Sequence, residues 1–227
     1  MKNLCCLIAV AVFVFTLSGG CFAVENEPQV SAKAAVVIEA GTGRVVFGKN
    51  ENAKLPMAST TKIMSVLLTL ESGDLDSEFV VDSEAVKTEG SSMGLMEGDI
   101  VSKRDLCIGM LLPSGNDAAN CAAVKVGGSM AGFADMMNAK ASRLGLKNTH
   151  FVTPSGLHDD EHYSTAYDMA QLTSFALKND DFRAICSQKS IKLAFGDPPY
   201  DRWLANTNKL LTRYAVSYTH LRAHETK

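Results

Sequence analysis

The chain has 227 residues, 46% of them hydrophobic, with a formal net charge of −3. That length supports one medium globular domain with a real core, or two small ones. The near balance of charge removes the electrostatic case for a nucleic-acid partner.

The first residues, "MKNLCCLIAVAVFVFTLSGGCFA", combine a basic start, an apolar run over 4–17 and small residues at the end. This is the pattern of a secretory signal peptide over residues 1–23, with Ala23 the last residue before cleavage. The apolar run is short for a membrane span. A rival reading makes Cys21 a lipid-modified cysteine, although Ser18 stands where such a signal wants leucine. Either way the protein is expected to be exported. Residues 24–32 are polar and read as a flexible lead-in.

"AAVVIEAGTGRVVFGKN" carries two β-rich runs, 35–38 and 44–47, around "AGTG", a hairpin signal with Gly41 and Gly43 supplying the turn. Residues 60–71 form a helix apolar on nearly every face, hence central and buried. Residues 74–101 are mixed and loop-rich. Ser102 and Asp105 resemble a capping box opening a helix that runs to Leu112 and is stopped by Pro113. "SGN" follows at 114–116, then a small-residue helix closed by Gly127 and Gly128. Ser129 caps a further helix ended by Gly145, and a long loop, "KNTHFVTPSGLHDDEHYS", leads to a helix over 165–178.

Six cysteines do not make a disulfide framework here. Cys5, Cys6 and Cys21 fall in the leader, leaving Cys107, Cys121 and Cys186, an odd set. Two of these lie in apolar helical stretches where a buried free thiol is common. There is no C-x-x-C pair and no zinc spacing among the histidines, so no metal and no cofactor is implied.

The chemistry concentrates in "PMASTTKIMSVLLTLE". Ser59 and Lys62 stand one helical turn apart and share a face. A serine hydroxyl needs a neighbour to take its proton. An ammonium cannot do so, but a lysine in a dry pocket at a helix N-terminus can, since desolvation and the helix dipole both lower its pKa. The same N-terminus offers a backbone N–H to an oxyanion beside Ser59. S-x-x-K occurs about once by chance in a chain of this size, and a serine before a helix is most often only a cap. A second candidate is "LLPSGNDAAN", where Ser114 could relay a proton and Asn116 could hold a peptide group; otherwise it is an ordinary surface turn.

Taken together, "AAVVIEAGTGRVVFGKNENAKLPMASTTKIM", "TEGSSMGLMEGDIVSKRDLCIGMLLPSGNDAAN" and "FVTPSGLHDDEHYSTAYDMAQL" resemble the low-molecular-mass penicillin-binding proteins. More narrowly they resemble the serine D-alanyl-D-alanine carboxypeptidases, over about residues 33–214. The resemblance implies an α+β fold, helices packed on an antiparallel sheet in the β-lactamase/transpeptidase-like manner. It implies that Ser59 attacks the bond between the two D-alanines of a peptidoglycan stem peptide with Lys62 as base. Ser114 would pass the proton to the leaving D-alanine and Asn116 would bind the substrate backbone. β-Lactam antibiotics would acylate Ser59. The expected setting is the cell envelope, at the outer face of the cytoplasmic membrane, with peripheral association with that surface.

One element of the family is missing. Its K-T-G motif has no counterpart, the nearest string being "KTE" at 87–89, ahead of the second motif. The chain reads as truncated near residue 214, lacking the C-terminal strands, with 215–227 an unrelated tail. An unpaired sheet edge, poor solubility and weak or no turnover are the expected consequences. Two other readings share the acylation apparatus. A serine β-lactamase would need an E-x-x-L-N loop that is not found between 148 and 168, and a non-catalytic β-lactam sensor would stop at the adduct.

Overall fold

In the computed structural model residues 28–213 are described. The expected leader (1–23), the start of the lead-in and the expected tail (215–227) lie outside the described residues. The chain divides into a unit ending at Ser31 and a second beginning at Ala32, and all elements below belong to the second.

The β-branched runs pair as expected. β1 (Ala35–Ile38) and β2 (Val45–Lys49) form an antiparallel ladder with Ala35 opposite Lys49 and a bulge between Val37 and Ile38. The turn between them is organised by an acid as well as by glycine. The Glu39 carboxylate accepts the N–H groups of Gly41 and Thr42, at 2.9 and 2.8 Å, and the Thr42 hydroxyl.

The central helix begins later than its apolar pattern implies. A 3₁₀ turn over Ala58–Thr61 leads into α1 (Lys62–Glu71). Every residue of α1 from Lys62 to Leu70 is buried, because α1 packs against five other helices at once. A helix surrounded in this way must be apolar all round or satisfy its polar groups internally. It does both: Thr69 Oγ1 donates to the Ser65 carbonyl at 2.8 Å, and Ser65 Oγ donates to the Pro154 carbonyl at 2.6 Å.

The stretch expected to be loop-rich contains a short ladder, β3 (Glu78–Val80) antiparallel to β4 (Ile100–Ser102). Three-residue strands carry too little alternation to register in a sequence pattern. α2 (Lys103–Leu111) opens on the expected capping box. Ser102 Oγ accepts from Asp105 N at 3.1 Å, and the Asp105 carboxylate accepts from Ser102 N at 2.9 Å. α3 (Asn116–Gly127) ends at a left-handed Gly128, and α4 (Met130–Arg143) starts under a Ser129 cap. α5 (Ala166–Ala176) is capped by Thr165. Beyond it come α6 (Asp180–Cys186), the hairpin β5 (Ser190–Phe195) and β6 (Tyr200–Ala205), and α7 (Leu210–Arg213).

The fold is therefore α+β, with helices gathered around α1. The described strands make three two-stranded antiparallel ladders and no single continuous sheet. The core is formed by side chains such as Met64, Leu67, Leu106, Phe133, Leu172 and Phe182. Cys107 and Cys121 lie in it as free thiols, and Cys186 is free and half-buried. Removing the Ser102 hydroxyl tests the start of α2. Ser102→Ala is expected to lower stability by about 1 kcal/mol and the melting midpoint by about 2–4 °C, measured by thermal denaturation.

Candidate active site

Ser59 is not a helix cap. The residue at the cap position, Met57, makes no side-chain capping bond, and Ser59 Oγ instead faces Lys62 Nζ at 3.2 Å. The two residues lie where the chain passes from 3₁₀ turn to α1, a change of pitch that stacks position 59 against position 62. Entry into the turn is strained: Ala58 has φ of 46°, a left-handed conformation for a residue with a Cβ.

Lys62 is 2% exposed. Its amine reaches three oxygens: Ser59 Oγ, Asn116 Oδ1 at 2.7 Å and the Ser155 carbonyl at 2.8 Å. Two of these can only accept. The Ser155 carbonyl has no proton, and the Asn116 amide is fixed in orientation because its Nδ2 donates to the Glu89 carbonyl at 2.7 Å. When Lys62 is neutral, its two N–H groups serve these acceptors and its lone pair is left for the Ser59 hydroxyl. Burial pushes the amine down to about 8 from the ordinary 10.5, while the Asp117 carboxylate pulls the other way. At pH 7 roughly a tenth of the amine is then neutral, against well under a thousandth for an ordinary lysine.

Asp117 holds the opposite wall. It is 1% exposed and its carboxylate accepts five hydrogen bonds, from the N–H groups of Met93, Gly94, Leu95 and Ala118 and from Ser92 Oγ. With Asn116 N donating to the Ser91 carbonyl at 2.7 Å, this fastens residues 89–95 to the start of α3. A carboxylate at that helix end also suits the dipole.

The facing wall is backbone. Residues 153–157 lie across the start of α1, with Gly156 at φ of 84°. A Cβ at Gly156 would stand 1.9 Å from the Ala58 carbonyl oxygen and 2.8 Å from Thr61 Oγ1, so only glycine permits the approach. His162, 3% exposed, bonds Thr61 Oγ1 at 2.8 Å from the same side.

Three of the four expected site residues are thus brought together: Ser59, Lys62 and Asn116. Ser114 stands two residues before Asn116, half-buried and with φ of 66°, and makes no hydrogen bond to Ser59 or Lys62. The Ser155 carbonyl, Asp117 and His162 fall within the stretches that carry the resemblance, but the sequence assigns none of them a role. Only Gly156, between a proline-led turn and an acidic loop, could have flagged a close main-chain approach. Chemically the arrangement can deprotonate a hydroxyl held at the start of a helix.

Comparison with known proteins bears on family and fold. The family model described as D-alanyl-D-alanine carboxypeptidase matches residues 22–227. The D-alanyl-D-alanine carboxypeptidase DacF of Bacillus subtilis is 36% identical over 94% of this chain. DacB2 of Mycobacterium tuberculosis is 35% identical over 82% of it. The chain spans 57% of the length of the first relative and 64% of the second. Among solved structures, the Streptomyces K15 DD-transpeptidase superposes with a TM-score of 0.77 at 31% identity, covering 83% of this chain and 78% of that one. A D-alanyl-D-alanine carboxypeptidase from Mycobacterium tuberculosis gives a TM-score of 0.77 at 34% identity, covering 83% and 71%. On the extent of the family match and the agreement in fold, the chain belongs to the D-alanyl-D-alanine carboxypeptidase family.

Proposed function

We propose that the chain carries the acylation centre of a serine D-alanyl-D-alanine carboxypeptidase. Its substrate would be the D-Ala-D-Ala end of peptidoglycan stem peptides, and β-lactams would bind the same site. The observation that carries the reading is the hydrogen bonding of Lys62. Two fixed acceptors take its N–H groups, and the remaining direction points at Ser59 Oγ, 3.2 Å away.

In the proposed reaction neutral Lys62 takes the Ser59 proton as Oγ bonds to the carbonyl carbon of the penultimate D-alanine. One backbone N–H at the start of the turn, beside Ser59, is proposed to receive the oxyanion. The C–N bond to the terminal D-alanine then breaks, the leaving amine receiving a proton from Lys62 by way of the Ser114 hydroxyl. Water hydrolyses the ester and frees Ser59. Asn116 orients Lys62 through Oδ1, and the second N–H of its Nδ2 is proposed to meet the substrate backbone. The leader supports export, with action at the outer face of the cytoplasmic membrane and peripheral contact with that surface.

Intact mass after incubation with benzylpenicillin tests the reading. A stable adduct mapping to Ser59 supports it, whereas labelling of another side chain, or none, rejects it. D-Alanine release from a stem pentapeptide separates a peptidase from a sensor that stops at the adduct, and rapid loss of the adduct marks a lactamase. Lys62→Arg keeps the charge and abolishes the base, and is expected to slow acylation by about 10²–10⁴-fold. In the unaltered chain the acylation rate is expected to rise tenfold per pH unit below about 8 and level off above it, since only the neutral amine is active. A profile flat between pH 6 and 9 would exclude Lys62 as the base.

A further inference from the structure

Proton removal from Ser59 needs the Ser155 carbonyl to stay on Lys62, and a carbonyl in a loop has no stiffness of its own. The geometry around His162 supplies it. Nδ1 of the ring lies 3.0 Å from the N–H of Val152 and 3.3 Å from that of Thr153. A nitrogen facing two donors carries no hydrogen, so the neutral ring holds its proton on Nε2. Nε2–H therefore donates to Thr61 Oγ1 at 2.8 Å. Thr61 ends the turn that carries Ser59 and immediately precedes Lys62. Phe151 packs edge-on against the ring with centroids 5.9 Å apart, and Thr153 Oγ1 closes the loop by donating to the Leu157 carbonyl at 3.0 Å.

We propose that His162 is a positioning residue, a clamp that in its Nε2–H form ties residues 152–153 to Thr61, holds the Ser155 carbonyl on Lys62 and keeps that amine dry and aimed at Ser59. The proposal rests on Lys62 being the base. A second proton on the ring would set N–H against N–H at Nδ1 and open the clamp. Burial opposes this, lowering the ring to about 4; His150 and His158 act in the same direction and Asp159 against it.

The test compares His162→Leu, His162→Gln and Thr61→Val in the full chain. Glutamine offers an acceptor and an N–H at similar reach and is the conservative replacement. Thr61→Val removes the acceptor of Nε2–H without touching the ring, and decides the matter if His162→Leu fails to fold. Lys62 is titrated by NMR with ¹³C-labelled lysine, and benzylpenicillin acylation is followed against pH. The expected result is that His162→Leu and Thr61→Val raise the Lys62 midpoint by about one unit, which lowers the neutral fraction at pH 7 about tenfold. The acylation profile should move with it, and His162→Gln should restore most of both. An unchanged Lys62 midpoint in the Leu and Val variants overturns the proposal. So does a loss of rate with no shift in profile. If the unaltered chain takes no penicillin at all, it is the function proposed above that fails, and the Lys62 titration still decides whether the clamp exists.

Discussion

A lysine amine at 2% exposure is the constraint around which the remainder is arranged. Keeping its pKa near 8 and not 10.5 costs the folded state about 3 kcal/mol at neutral pH. The sign follows from the direction: the cost is full below pH 8, shrinks as pH rises and is gone above 10.5. A domain whose net stability is only about 5–15 kcal/mol tolerates this because the amine is not left without partners. Asn116 Oδ1 and the Ser155 carbonyl each accept from it, and Asp117 contributes a carboxylate charge. Removing all these partners would leave a buried charge unsolvated, which costs more than the shift itself.

The partners come from widely separated parts of the chain, and each needs its own anchor. Asn116 is aimed by the Glu89 carbonyl, and that loop is secured by its four donors to Asp117, from Ser92, Met93, Gly94 and Leu95. Ser155 belongs to a segment bound to α1 through Ser65 and to the preceding turn through His162 and Thr61. The site is thus a meeting of loops on one rigid helix, and α1 is rigid because packed helices surround it. Two of the non-glycine residues with left-handed φ, Ala58 and Ser114, adjoin or belong to it. Local strain at such positions persists only where neighbouring structure over-determines it.

How much of this was legible in the sequence depended on whether a feature is carried by a side chain near its partner. Ser59 and Lys62 are one turn apart, so their pairing could be read directly. The capping box at Ser102, the Ser129 and Thr165 caps and the apolar ring of α1 are equally local, and all appear. The resemblance assigned Asn116 to the same site but to the substrate backbone, and its bond to Lys62 could not be read, since nothing in the spacing fixes a contact across 54 positions. The Ser155 carbonyl could not be read at all, because every residue has a carbonyl. His162 was hidden for another reason: a histidine in an acidic loop looks solvated, as its neighbour His158 is, and its burial follows from tertiary packing against Phe151 and Thr61. Strands of three residues, β3 and β4, were likewise too short to show a period.

The contact between Gly156 and Ala58 has a wider consequence. At this contact the two segments meet main chain to main chain, so the fit there depends on the absence of a side chain at position 156. Asp160 and Glu161, a few residues further on, are exposed and can drift in charge without moving Ser59. Position 156 has no such latitude: a single methyl group there would displace the turn bearing Ser59. Charge on the exposed part of the loop can therefore change while the spacing of Ser59 and Lys62 stays set by Gly156 and His162.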